Sequence, residues 1–267
     1  MLGTDSRTAL TALVQHSRRG FTLIEIAIVL VVIGLLISGG LLAVGPVIQS
    51  AKISETKQKM ATVEAALLGY VIANGCLPCP AARGASATGI TNNGTADYTT
   101  ACGSGGACTG AGNGLVPWVT LGIAENDAID GWGRRLIYSV DPTLTNASND
   151  VQRNSDGSFP TFTSTLGMEN LAGGTLGYNA IAYVLVSHGS DGSFGETVDG
   201  TTGADKYGQA AGATGLGQHE NGNGDINFAT GQTNSTNSTA YFDDIVSFKS
   251  FQPLILSCGA GSCGNPS

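Results

Sequence analysis

A run of 23 residues without a charge, Ile26 to Ile48, limits what this chain can become more than any other feature. About 20 such residues cross a bilayer as a helix, so the run is expected to form a transmembrane segment. Arg7, Arg18 and Arg19 precede it, against a single Asp5. A basic flank keeps its end of a span in the cytoplasm, and everything after Ile48 is then expected outside. Glu25 breaks the pattern, because it lies inside the apolar stretch that begins at Phe21. A carboxylate at the centre of a span costs up to about 2.5–3.5 kcal/mol, less near an end, and reads as functional. Its natural counter-charge exists only if the chain is cut between Gly20 and Phe21. That cut creates an α-amine with a pKa of about 7.7–8.0.

The octapeptide Arg18-Arg19-Gly20-Phe21-Thr22-Leu23-Ile24-Glu25 resembles the cleavage site of type IV prepilins and type II secretion pseudopilins. The resemblance implies removal of residues 1–20 as a leader by a membrane prepilin peptidase and N-methylation of the new N-terminal Phe21. It also implies assembly of the mature chain into a helical filament, in which the new amine and Glu25 can pair within one chain or between neighbours. The implied partners are other pilin or pseudopilin subunits, the peptidase and methyltransferase, an inner-membrane assembly platform, and the membrane itself before assembly. Two plainer readings compete. A twin-arginine export signal has a 7–15-residue apolar core and a small-residue cleavage site; here the core is longer, contains Glu25 and is not followed by that site. A plain signal anchor leaves Glu25 without a reason.

Helical spacing continues beyond the membrane run. Ile53, Met60, Val63, Leu67 and Val71 fall close to one helical stripe. Glu55 and Lys59 form an i, i+4 pair in the favourable order. Asn74-Gly75 is a natural helix end, since glycine adopts the left-handed conformation there. Residues 21–48 are thus expected as the transmembrane and assembly helix, and 49–75 as its amphipathic continuation. A helix over 22–74 would be about 80 Å long at 1.5 Å per residue, far more than a bilayer needs. Gly34, Gly39, Gly40 and Pro46 weaken its first half. They fit either a gentle kink or a segment that loosens during filament packing.

Residues 76–267 are expected to form an extracytoplasmic β-rich domain. Charged residues are only 12% of the chain and there are 40 glycines, about half and twice the ordinary shares. The glycines have no three-residue period, so collagen is excluded. A net charge of −8 argues against a nucleic-acid partner, whose affinity depends on neutralised phosphates. The best strand candidates are 136–140, 180–186 and 242–251, separated by turn-rich stretches over 84–114, 146–158 and 199–231 that read as loops. One long helix packed on an antiparallel sheet, an α+β pilin-like fold with long loops, is the simplest layering.

Three downstream motifs agree with the resemblance. Asp130-Gly131-Trp132-Gly133 resembles the D-x-W-G element of major pseudopilins, Ser187-His188-Gly189-Ser190-Asp191-Gly192 their S-L-G-A-D-G loop, and Asp244-Ile245-Val246-Ser247-Phe248 their later D-I-x-x-W. Calcium is the one cofactor the resemblance implies. Its ligands would be the carbonyl of His188, the carboxylate of Asp191, and Asp243 or Asp244 closing from the next strand. Here 51 residues, Gly192 to Phe242, stand between the two halves, where the family uses a short loop. The plain alternative is a turn in which Asp191 caps its own backbone. Trp118 and Trp132 equally fit core aromatics, and Asp130 a turn residue.

All six cysteines, Cys76, Cys79, Cys102, Cys108, Cys258 and Cys263, follow the span. In an oxidising compartment an even number reads as disulfides. The preferred pairing is Cys258 with Cys263, and Cys76 and Cys79 with Cys102 and Cys108. A redox role for Cys76-Leu77-Pro78-Cys79 is disfavoured because the pair follows a helix C-terminus, whereas reactive thiols sit at an N-terminus. A zinc site from the first four cysteines has one good spacing and one poor one. Motifs for nucleotide binding, metalloprotease or serine-hydrolase chemistry are not found. The expected function is that of a non-enzymatic pilin-like subunit, minor or specialised. A secretion pseudopilin is the first alternative and a membrane-anchored binding module the second. The expected location is the inner membrane with an external domain, then a periplasmic or surface filament.

Overall fold

The computed structural model describes residues 20–84, 94–96, 108, 113–145, 151, 157–204, 217–234, 241–258 and 263, and the backbone alone over 38–44. The chain divides into two compact units, Met1–Val47 and Ile48–Ser267. Helix α1, Leu23–Asn74, begins in the first and ends in the second, with Pro46 inside it.

In the first unit every described side chain from 20 to 37 is exposed, including Phe21, Leu23, Ile24 and Leu35. A helix apolar on all sides has no water-facing surface and requires an apolar surround. Among the described residues no helix is both long and apolar enough to cross a membrane. The described side chains of the expected span stop at Ile37 and resume at Gly45.

The second unit is built on the outer half of α1. Met60, Val63, Leu67 and Val71 are buried at 2% exposure or less, as a stripe at helical spacing requires. Ile53 is only half-buried, and the stripe's other inward position is a fully buried polar residue, Thr56. Glu55 and Lys59 are paired at 2.8 Å. The helix ends where Gly75, at φ 78°, returns its amide to the Val71 carbonyl.

This stripe packs on a four-stranded antiparallel sheet ordered β1 (Asn113–Leu115), β2 (Ile137–Val140), β4 (Ile181–Ser187), β6 (Ile245–Ser250). Tyr138, Val140, Tyr183 and Leu185 join the helix in one core cluster, while Ile137, Val184 and Val186 face a second cluster across the sheet. Strand β4 is therefore buried along its whole length, which is why it reads as a continuous apolar run rather than an alternation. A register shift against β6 between Ile181 and Tyr183 puts both Ala182 and Tyr183 on the helix side.

Three expectations need correction. Beyond the short helix α2 (Trp118–Leu121), the stretch 199–231, read as loop, contains helix α3 (Gly217–Gly222) and strand β5 (Asn227–Thr230). Strand β5 pairs in parallel with β3 (Gly167–Asn170), and Met168 and Phe228 cover the second face of the main sheet. That face needs a cover because it is apolar, so the fold gains a third layer. The last strand stops at Ser250, and Phe251–Ser257 forms helix α4. Phe251, Leu254 and Ile255 are its buried residues, at a spacing that only a helix brings to one side. Pro253 sits in the first turn, where its missing N–H is tolerated.

Candidate functional site

At the N-terminal end, Thr22 and Glu25 form a reciprocal cap. The Glu25 carboxylate accepts from the Thr22 backbone N–H and hydroxyl, both at 2.9 Å, and the Thr22 hydroxyl oxygen accepts from Glu25 N–H at 3.3 Å. This is a capping box, in which each side chain satisfies a backbone donor that the first helical turn leaves free. The T-x-x-E spacing of Thr22 and Glu25 is the sequence signal for it. Gly20 and Phe21 lie just before the cap, outside the helix and exposed. Their shared bond is not part of α1. Cutting there removes neither partner, because the donor is the amide of Thr22.

In the second unit the three downstream motifs meet at the far end of β4. Asp130 is 2% exposed. Its Oδ1 accepts from the backbone N–H groups of Trp132 and Arg134, and its Oδ2 from the Ser187 hydroxyl at 2.7 Å. The turn it closes docks on α1: Gly131 N–H donates to the Thr56 hydroxyl at 2.9 Å, and a Cβ on Gly131 would stand 2.6 Å from the Lys52 carbonyl oxygen. Glycine is needed for that approach. Trp132 is not a core residue; its half-exposed indole N–H donates to Gln49 on α1 at 3.2 Å. Trp118 is the buried tryptophan, with the Arg135 guanidinium 4.1 Å over its ring.

His188, Asp191, Asp243 and Asp244 are all buried here, brought together across the long insertion. Asp243 Oδ2 accepts from Ser190 N–H, Ser190 hydroxyl, Asp191 N–H and Tyr241 hydroxyl, at 2.6, 2.7, 2.9 and 3.1 Å. Asp191 accepts from Ser193 N–H on one oxygen, and from the Ser193 hydroxyl and Gln218 amide on the other. Asp244 accepts from Asn221 at 2.8 Å and lies 3.7 Å from His188 Nδ1. Burial pushes the carboxyls of Asp243 and Asp244 above the usual range, against the donors around them. It also pushes the Tyr241 hydroxyl up to about 12.

As placed, these residues do not form a calcium cage, although Asp243 Oδ1 is a buried acceptor without a hydrogen-bond partner among the described residues and Asp244 Oδ1 faces only His188 Nδ1 at 3.7 Å. Calcium needs six to eight inward-pointing oxygens. Both Asp191 oxygens are already acceptors, the His188 carbonyl accepts Gly192 N–H at 3.1 Å, and the Arg134 guanidinium donates to the Gly189 carbonyl at 3.2 Å. Among the described residues no group of three or more His, Cys, Asp or Glu side chains is placed to hold a metal. Asp191 caps the turn through Ser193 N–H, and Arg134, Ser190 and Tyr241 are partners that sequence reasoning missed.

Cys79 is joined to Cys108 and Cys258 to Cys263, with Cα separations of 5.5 and 5.2 Å. Cys76 is also disulfide-bonded; Cys102 lies outside the described residues. With Cys79 oxidised onto Cys108 and Cys76 also in a disulfide, the Cys76–Cys79 pair is not a dithiol, and zinc has lost three of its four ligands.

Residues 15–41 match the prokaryotic N-terminal methylation motif, which is typical of type IV pilins and pseudopilins. Such motifs head pilin and pseudopilin subunits, which are structural proteins. The motif implies cleavage by a prepilin peptidase, anchoring in the inner membrane and assembly with pilins. The match covers the cleavage region and the first part of the apolar run; the globular unit lies outside it. No curated protein and no solved structure matches the chain.

Proposed function

We propose that this chain is a minor or specialised subunit of a type IV pilus-like filament. It is cut between Gly20 and Phe21, methylated at Phe21, held in the inner membrane by residues 21–48, and polymerised through α1. The observation that carries the reading is the methylation motif at the head of a helix that runs on as the spine of a sheet domain. Large turn-rich insertions on that domain, such as the one over 192–242, suit a specialised position better than the repeated contacts of a bulk subunit. Glu25 serves assembly by meeting the α-amine of a neighbouring Phe21. The assembly platform in the inner membrane is the remaining partner.

One observation favours a type II secretion pseudopilin as the second reading. The Asp130 turn, the Ser187–Gly192 turn and Asp243-Asp244 form a single hydrogen-bonded network, and all three resemble elements of major pseudopilins. Electron microscopy of sheared surface filaments, labelled with antibody to this chain, tests the choice. Label on surface filaments of wild-type cells supports the pilus subunit. Label found only in the periplasmic fraction, with loss of secreted protein on deletion, supports the pseudopilin. A mature chain of intact mass other than that starting at N-methylated Phe21 overturns both.

A further inference from the structure

We propose that the turn Ser187–Gly192 carries its own cation, the Arg134 guanidinium, and that this end of the molecule folds and holds without a divalent metal. Arg134 is fixed at its backbone by Asp130, whose Oδ1 accepts its N–H at 2.9 Å and whose own N–H donates to its carbonyl at 2.7 Å. From that anchor the side chain crosses to the turn and donates from a terminal nitrogen to the Gly189 carbonyl at 3.2 Å. Two glycines make room for it. A Cβ on Gly192 would fall 1.8 Å from the guanidinium carbon, and one on Gly195 would fall 2.6 Å from Arg134 Cδ. No side chain larger than hydrogen fits at either position while Arg134 stays where it is.

Asp130, Asp191, Asp243 and Asp244 are all buried at this end of β4, and each is held by neighbouring donors, as buried carboxylates require. Guanidinium suits a turn lined by carbonyls, because it is weakly hydrated, permanently charged and offers several donors in one plane. A metal held by the His188 carbonyl and Asp191 would have to recover that carbonyl from Gly192 N–H and the Asp191 oxygens from Ser193 and Gln218. Arg134 thereby links the turn to Asp130 and, through Gly131 and Thr56, to α1.

The test uses the full chain in detergent micelles, with thermal unfolding followed by near-ultraviolet dichroism in calcium or in chelator. The wild-type melting temperature is expected to agree between the two media within about 1 °C. A site saturated a hundredfold above its dissociation constant would separate them by roughly 5–10 °C. Arg134→Met is expected to melt roughly 3–10 °C lower in both media, with new proteolytic cuts between 188 and 203. If Arg134→Met does not fold, Arg134→Lys, which keeps the charge but not the planar fork, is read by the same two measurements. A calcium-dependent rise in the wild-type melting temperature overturns the proposal. So does a variant at Arg134 that melts and resists protease like the wild type.

Discussion

Asp130 commits both carboxylate oxygens inside the fold, closing one turn and reaching Ser187 on another strand. Asp130→Ala leaves three donors without an acceptor, at roughly 1–3 kcal/mol for a buried unsatisfied group. The expected loss is roughly 2–4 kcal/mol, seen as a melting temperature lowered by roughly 5–15 °C; an unchanged melt would contradict the assignment. Glu25 has two separable properties, its charge and its cap. Glu25→Gln keeps the acceptor for the Thr22 N–H and removes the charge, whereas Glu25→Ala removes both. Both variants are expected to insert into the membrane and to be processed, and both to enter filaments at least tenfold less than wild type if the charge meets a neighbouring amine. Rescue by glutamine alone would show that capping is what matters. Quantitative immunoblots of sheared filaments, beside intact mass of the processed chain, make the measurement.

The elements legible in the sequence were those whose signal is local and regular. The stripe Met60, Val63, Leu67, Val71 is buried as its spacing requires, and the runs 137–140 and 181–187 form strands because both faces are covered. Leu67→Ala in this stripe is expected to cost roughly 2–5 kcal/mol through lost burial and cavity. Ile72→Ala, at a side chain 45% exposed, is expected within about 0.5 kcal/mol of wild type. Equal chemical-denaturation midpoints for the two variants would disprove the packing. The β3–β5 pair was not legible. Its strands are four residues each, partly polar, and paired in parallel across sixty positions of chain, so nothing local announces the contact. Helix α4 was not legible either: only its first residue, Phe251, falls in the run 242–251, and no turn residue separates strand from helix.

At the scale of the whole molecule, buried acids set the response to pH. Glu196, Asp243 and Asp244 all titrate above the usual carboxylate range, and burial is the largest cause for each. A carboxyl whose pKa is raised on folding contributes stability that is fully present below its unfolded pKa, about 4, and that is lost as pH rises through the raised value. Exposed Glu55 and Asp199 act in the opposite sense. Lys59 and Thr197 respectively hold them down, so their contribution is present above about pH 4 and fades below it. The melting temperature is therefore expected to rise as pH is lowered from neutrality towards about 4 and to fall again below it. A melting temperature that falls throughout that descent would refute the role of the buried acids. Glu196→Gln is expected to flatten the rise.

The sequence by itself determined the N-terminal segment and the inward face of the outer helix. A charge within an apolar run, a cap at i and i+3, and a repeat near 3.6 residues are all fixed by neighbours along the chain. Only the tertiary structure decided which groups gather at the end of β4. Asp130, Arg134, Asp191 and Asp243 come from three separate segments, and their meeting depends on strand register, including the shift beside Tyr183. A slip of one residue would turn each strand's side chains to the other face. Motif spacing could bring an acidic turn and a later Asp-Asp pair to mind as metal ligands. Whether their oxygens point at an ion or at Ser193, Gln218 and a nearby arginine is a matter of packing, and packing is settled by contacts tens of residues apart.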